Sequence, residues 1–323
     1  MNVLTTNNLT VGYRKKKRVF AVQQNLQLTL QRGELVCLIG QNGVGKSTLI
    51  KTVAGLLKPL EGNIFIENKE ISQFTSAQKA KKISLVLTDK IEIENATVYD
   101  IVSYGRHPYT DRWGNLLDSD KEKISEAINL VHLNNKKDEP FSELSDGEKQ
   151  RVMIAKALAQ DTEIIILDEP TAHLDLPNRV EIMLLLHSLA HRSSKAILLS
   201  THELDLALQA ADRIWLMGNG KIENGVPEDL VLNGNFERAF DSKHYFFNSA
   251  NGNFSMNYNL TKTVGIQGDK TRMYWTLRAL ARAGYKTEEN SDVMINVSKT
   301  GWTVNSHSFN SIESLLNFLN NVI

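Results

Sequence analysis

The amino-acid sequence predicts an α/β fold in which a mainly parallel core sheet is covered by helices. Four runs, at 35–39, 83–87, 164–167 and 196–199, are apolar without polar alternation, as strands are when both faces of a parallel sheet are buried. Helical patterns fall between them. Over 179–189, Val180, Met183, Leu184 and Leu186 are available for burial at helical spacing. From about 90 to 160 the apolar strand runs stop and polar helical sequence takes over, which predicts a helical insertion.

In chain order, residues 1–33 read as short strands and turns. Leu26, Leu28 and Leu30 alternate with polar neighbours up to a turn at Gln31, Arg32 and Gly33, the pattern of a half-buried strand. The basic run Arg14, Lys15, Lys16, Lys17 and Arg18 is short and isolated and reads as a solvated loop. The single cysteine, Cys37, lies inside the first apolar run, where a packed core thiol is expected. Alone it forms no internal disulfide, which suits a reducing compartment. From about residue 241 the chain grows richer in Asn, Ser, Thr and aromatics, with strands expected at 263–266 and 293–297 and helices at 270–283 and 311–322. The expectation is a first domain over 1–240 and a small α+β appendage over 241–323.

At 323 residues the chain is long enough for a full globular domain plus something smaller. Its formal net charge is zero, with 41% hydrophobic and 23% charged residues, as in an ordinary soluble protein. That balance gives no general attraction to nucleic acid or anionic lipid, and no nucleic-acid partner is expected. No apolar run approaches the roughly 20 residues that span a bilayer, and the N-terminus lacks the apolar core of a signal peptide. Work at a membrane would then need another polypeptide for the membrane part.

Gly40, Gln41, Asn42, Gly43, Val44, Gly45, Lys46, Ser47 and Thr48 satisfy the P-loop pattern and follow an expected strand, as that motif requires. Its glycines let the backbone bend so that successive N–H groups point at phosphate oxygens. The loop opens into a helix near Lys46, whose N-terminal dipole favours an anion. Lys46 is then expected on the β- and γ-phosphates of ATP, with the Ser47 hydroxyl on Mg²⁺. The run at 164–167 ends in Asp168 and Glu169, two carboxylates where a core strand has no other reason to carry them. Asp168 is expected to hold Mg²⁺ and Glu169 to polarise the attacking water.

Leu144, Ser145, Asp146, Gly147 and Glu148, followed by Lys149, Gln150 and Arg151, resemble the signature of ATP-binding-cassette (ABC) proteins, usually Leu-Ser-Gly-Gly-Gln. The match departs at Asp146 and Glu148 but keeps Ser145 and Gly147, which touch phosphate in the family. The same residues make a helix start, with Ser145 as cap and Glu148 reaching back. Thr171, Ala172, His173, Leu174 and Asp175 are similar to the family's D-loop, placing Asp175 where that loop crosses to a partner subunit. Ser200, Thr201 and His202 resemble its switch loop, making His202 the expected γ-phosphate sensor. Tyr13 stands where the family stacks an aromatic ring on adenine. One element departs: at the end of the third core strand the family carries a Gln near Mg²⁺, and here the position is held by Thr88.

The resemblance covers about residues 3–240. It implies a P-loop NTPase ABC cassette with an N-terminal antiparallel β subdomain and a helical subdomain, working as a homodimer in which one copy's signature completes the other's P-loop site. It also implies ATP hydrolysis coupled to separate transmembrane permease subunits at the cytoplasmic face of the cell membrane, and an external substrate-binding protein acting indirectly. Gly105, Arg106, His107, Pro108 and Tyr109 resemble a stretch of the bacterial importers for iron-siderophore complexes, haem and vitamin B12, placed where the cassette grips a permease helix. The alternatives are an exporter cassette and a soluble ABC ATPase acting on ribosomes or DNA. The latter types carry two cassettes per chain or a long coiled coil, and neither pattern occurs in this sequence.

Overall fold

The structure, a computed structural model, describes residues 1–15, 18–88, 93, 95–218, 220–289 and 291–322. Lys16 and Lys17 of the basic run lie outside them. The chain divides into two compact units, residues 1–241 with 247–253, and residues 242–246 with 254–323.

In the first unit, β1 (Asn2–Lys15) pairs antiparallel with β2 (Arg18–Leu26) and with β3 (Thr29–Gln31). The chain enters the core as β4 (Leu35–Gly40), turns into α1 (Lys46–Val53), and returns through β5 (Glu61–Ile66) and β6 (Lys69–Glu70). The resulting sheet runs β2-β1-β5-β6, with β3 on the side of β1. Leu26, Leu28 and Leu30 are all buried, as expected. The single strand expected there is broken, because the Thr6 hydroxyl accepts from the Leu28 N–H at 2.8 Å and donates to the Leu26 carbonyl at 3.1 Å. Arg14, Lys15 and Arg18 are exposed, as a solvated run should be, but sit on strand ends rather than in a loop.

After α2 (Ser76–Ala80) and β7 (Ile83–Val86) comes the helical region, with α3 (Val98–Ser103), α4 (Asp118–Leu130) and α5 (Asp146–Ala159). The core then resumes with β8 (Ile164–Asp168), α6 (Leu176–Arg192), β9 (Ala196–Ser200), α7 (Leu204–Ala210), β10 (Arg213–Gly218) and β11 (Lys221–Gly225). The core sheet runs β11-β10-β4-β9-β8-β7. Every neighbouring pair from β10 to β7 is parallel, and only β11 is antiparallel. α/β is therefore the fold class, as the sequence predicts.

The lack of alternation in these strands has a direct cause. Leu35, Cys37 and Ile39 face one apolar cluster, shared with the helical region and α6, while Val36 and Leu38 face another, shared with α1 and the first sheet. Ile165 and Leu167 divide from Ile164 and Ile166 in the same way. Both faces must be apolar because both are covered. Cys37 is fully buried, and burial pushes its thiol far above the ordinary range. α6 corrects one expectation: Leu184 is 61% exposed, and Ile182, Met183, Leu186 and Leu189 make the buried face. At 100° per residue Leu184 points almost opposite to Ile182.

In the helical region Gly105 and Arg106 are buried, Pro108 and Tyr109 half-buried and His107 exposed. Arg106 is buried and pairs with Asp120 through Nε at 2.8 Å, donates to the Ala159 carbonyl at 2.8 Å and covers the Tyr109 ring at 4.0 Å. A Cβ on Gly105 would meet the Lys156 carbonyl at 2.3 Å. Arg106 thus joins α4 to α5, and Gly105 lets the turn pack on α5. Among the described residues, the large exposed apolar side chains of this region are Tyr104, Trp113 and Leu117.

α8 (Pro227–Leu232), α9 (Asn235–Ala239) and the hairpin of β12 (Tyr245–Asn248) with β13 (Asn253–Met256) follow. Phe247 is buried in the first unit, stacked on Phe236. The second unit contains β14 (Lys262–Gly268), α10 (Lys270–Arg282), β15 (Tyr285–Thr287), β16 (Met294–Val297), β17 (Trp302–Val304), β18 (His307–Phe309) and α11 (Ile312–Val322). Its sheet runs β15-β14-β16-β17-β18 over a core of Val264, Leu280, Ile295, Trp302, Leu315 and neighbours. The expected strands and helices each fall within one or two residues of their observed ends. Among the described residues no helix is long and apolar enough to cross a membrane.

Candidate functional site

The site is built where β4, β8 and β9 end side by side. β4 finishes at Gly40, packed so closely on β10 that a Cβ there would meet the Met217 carbonyl at 2.6 Å. The loop then turns through Gly43 (φ 77°) and Gly45 (φ 107°), backbone positions open to glycine at little cost. Gly45 has a second reason: a Cβ would lie 2.0 Å from Val22 Cγ1. α1 starts immediately after it, and no side chain caps that helix, so an incoming anion is the natural acceptor for its first amides. Asn42 and Ser47 are exposed at the loop surface and Thr48 is half-buried.

The Lys46 side chain is buried and donates from Nζ to the carbonyls of Gly40 at 3.1 Å and Gln41 at 3.4 Å. Burial pulls its ammonium below the ordinary lysine range, against the opposing pull of Glu169 and Asp168. A phosphate anion reaching this lysine would be received by a charge that the protein holds at a desolvation cost.

Asp168, the last residue of β8, is gripped from several sides. Its Oδ1 accepts from Ser200 Oγ at 2.6 Å and from Ser47 Oγ at 3.3 Å, and its backbone carbonyl accepts from Thr88 Oγ1 at 2.8 Å. Ser200 Oγ in turn accepts from the Glu169 N–H at 2.9 Å. Glu169 has left-handed backbone (φ 51°), a conformation rare for a side-chain-bearing residue and common at functional sites. Its Oε1 lies 2.7 Å from His202 Nε2. The structure thus gathers Ser47, Thr88, Asp168, Glu169 and His202 by direct contact, with Lys46 close enough to feel the charge of both carboxylates. Ser200 is the residue to which sequence reasoning assigned no role. The available signal was a serine closing an otherwise apolar strand.

Two further groups stand apart. Ser145 caps α5 in a reciprocal box with Glu148, and Lys136 pairs with Glu148 at 2.8 Å. Lys136, together with the Ser145 N–H and hydroxyl, holds the Glu148 carboxyl down at about 2. Asp175 caps α6 by accepting from the Asn178 N–H, and a Cβ on Gly147 would meet Asn178 Oδ1 at 2.6 Å. Gly147 is thus the residue that lets the starts of α5 and α6 approach. Among the described residues no hydrogen bond joins Ser145, Gly147 or Asp175 to the Lys46–Asp168 cluster. Tyr13 is exposed on β1, its ring stacked on Phe20 at 5.3 Å, which leaves one aromatic surface for a planar base.

A phosphate loop on a parallel sheet, with a carboxylate pair at the end of a neighbouring strand, defines a P-loop nucleotide-hydrolysing protein. The ABC transporter family model matches residues 23–172, and the iron ABC transporter C-terminal domain model matches residues 261–320. An uncharacterized ABC transporter ATP-binding protein of Methanocaldococcus jannaschii is 40% identical over 82% of this chain and 90% of its own length. The iron(3+)-hydroxamate import ATP-binding protein of Bacillus subtilis is 33% identical over 69% of this chain and 81% of its own. A dimeric ATP-binding cassette, solved in a post-hydrolysis state bound to ADP and Pi, matches with a TM-score of 0.60 at 27% identity, covering 69% of this chain and 98% of that one. The chain belongs to the ATP-binding proteins of ABC transporters. It binds adenine nucleotide and hydrolyses ATP.

Proposed function

We propose that the chain powers a bacterial-type importer of chelated iron, as the peripheral ATPase on the cytoplasmic face of the cell membrane. The observation that carries the iron reading is the match of residues 261–320 to the iron ABC transporter C-terminal domain; the relative that imports iron(3+)-hydroxamate supports it. The cassette expected over 1–240 also takes residues 247–253, and the rest of the appendage expected over 241–323 is then a regulatory or dimer-stabilising addition. A siderophore complex fits best, with haem or cobalamin as the neighbouring cargo classes. The permease and an external binding protein choose among them.

In this reading Lys46 and the loop amides hold the β- and γ-phosphates, and Tyr13 stacks on adenine. The donors near the phosphate site are hard oxygens, Ser47 Oγ and the Asp168 carboxylate at 3.3 Å, which fits Mg²⁺. Held by Ser47 and Asp168, Mg²⁺ would neutralise negative charge on the phosphates. Glu169 orients and polarises the lytic water, and His202 holds Glu169 in place while facing the γ-phosphate. Thr88 fixes the peptide between Asp168 and Glu169 through the Asp168 carbonyl, and Ser200 fixes the same junction from the other side. Because Ser145, Gly147 and Asp175 lie outside this cluster, a second copy is needed to bring a signature and a D-loop to each nucleotide. Closure of the homodimer around ATP, and its reopening after hydrolysis, drive the permease.

The experiment is uptake of radioactive ferric hydroxamate into right-side-out vesicles that enclose this chain and ATP, with a co-expressed candidate permease and its binding protein outside. Uptake that needs ATP and is lost in Lys46→Ala supports the reading. ATP hydrolysis with no uptake of any iron chelate would overturn the cargo assignment.

A further inference from the structure

Away from the nucleotide site, the end of α6 and the start of β10 bring together three groups that no step above uses. His187 and His191 stand one turn apart on α6, a spacing that places both imidazoles on one face. Their rings stack with centroids 4.3 Å apart at 27°. Asp212, just ahead of β10, faces them, its Oδ1 3.2 Å from His191 Nε2. One ligand atom from each of the three lies within 4.8 Å of the others.

We propose that His187, His191 and Asp212 form a binding site for a divalent transition-metal cation of borderline softness, such as Zn²⁺, tying the last turn of α6 to the start of β10. The donor set decides the class: two imidazole nitrogens and one carboxylate oxygen suit Zn²⁺ or Fe²⁺, whereas Mg²⁺ and Ca²⁺ prefer all-oxygen sites. In a tetrahedral site with bonds of about 2.0–2.1 Å, ligand atoms sit roughly 3.3 Å apart. His191 and Asp212 already stand near that separation, and the ligand atom of half-buried His187 lies within 4.8 Å of theirs. The carboxylate is also held from behind, since its Oδ2 accepts from the Leu35 N–H at 2.8 Å, leaving Oδ1 aimed at the imidazoles. Outer support of this kind accompanies ligating carboxylates. The site lies at the C-terminal end of a 17-residue helix, where the macrodipole favours a cation. A simple His–Asp pair accounts for His191, whereas among the described residues His187 has only its stack on that ring.

Leu35 opens β4, whose far end is Gly40 of the phosphate loop, so the cation sits at the opposite end of the sheet from the nucleotide. The test is calorimetric titration of the full chain with Zn²⁺, in a large excess of Mg²⁺ so that the oxygen site is filled. The parent is compared with His187→Gln, Asp212→Asn and, as a control in the second unit, His307→Gln. The structure predicts one Zn²⁺ equivalent in the parent and in His307→Gln, weakened at least about tenfold in His187→Gln and Asp212→Asn. Melting profiles without metal confirm that each variant is folded, and His187→Gln carries the test alone if Asp212→Asn is not. A parent that binds no Zn²⁺ in the presence of Mg²⁺ overturns the proposal, as does binding that His187→Gln leaves unchanged.

Discussion

Nε2 of His202 lies 2.7 Å from Oε1 of Glu169, so the end of β9 holds the carboxylate that the end of β8 presents. Glu169 directly follows β8 and His202 lies two residues past β9, so the pair bridges the ends of two neighbouring parallel strands.

That contact makes His202 a positioning residue for Glu169 as well as a phosphate sensor. His202→Ala is expected to lower ATP turnover by about 10²-fold, in the range of a displaced general base, while nucleotide affinity stays within a few-fold. Steady-state ATPase rates beside a fluorescent-nucleotide titration separate the two. An equal loss in both would place His202 in ground-state binding instead.

Thr88 yields a sharper expectation than its sequence position alone. Its hydroxyl donates to the Asp168 carbonyl at 2.8 Å, a hydrogen bond worth about 1 kcal/mol, at the peptide that orients Glu169. Thr88→Ala should reduce turnover several-fold with little change in nucleotide affinity, and Thr88→Ser should restore it. A large loss of Mg²⁺-dependent affinity in Thr88→Ala would instead make the hydroxyl a direct metal ligand.

These two residues show what the sequence could and could not convey. The four apolar runs, the glycine spacing and the Asp168–Glu169 pair are local patterns, and local patterns identify a parallel sheet and its phosphate loop. Which hydroxyl meets which partner depends on strands far apart in the chain, so the Ser200–Asp168 and Thr88–Asp168 bonds were not legible. Arg106 is a related case: the stretch around it is legible as a local pattern, but only the packing of α4 and α5 shows what its side chain holds.

The buried Arg106–Asp120 pair is accordingly a stability element. Arg106→Leu leaves Asp120 buried without its counter-ion and is expected to cost roughly 3–5 kcal/mol in denaturant unfolding. Burial opposes ionisation of Asp120, but the Leu117 N–H and Arg106 outweigh it and hold its carboxyl below the ordinary range. Because the folded value is depressed, this stabilisation is complete above the unfolded value of about 3.9 and is lost as pH falls through the folded one. In Arg106→Leu that acid-side loss should shrink. An unchanged midpoint at neutral pH would contradict the assignment.

Phe247 sets where the chain can be cut. It lies in a segment that returns to the first unit and stacks on Phe236 at 5.1 Å. A chain ending at residue 253 should fold and bind nucleotide like the parent's first unit. One ending at 241 loses that buried ring and should be less stable by about 3–5 kcal/mol. Equal stability of the two truncations would show that Phe247 contributes nothing there.

The central claim is that one chain carries two incomplete halves of a nucleotide site, Lys46 to His202 in one and Ser145 with Asp175 in the other. The most direct measurement is the mass of Glu169→Gln by light scattering, with and without Mg-ATP, beside Glu169→Gln/Ser145→Arg. The account predicts a monomer without nucleotide, a stable dimer with ATP, and no dimer when Ser145 is replaced. A Glu169→Gln chain that turns over ATP at the parental rate as a monomer would contradict it.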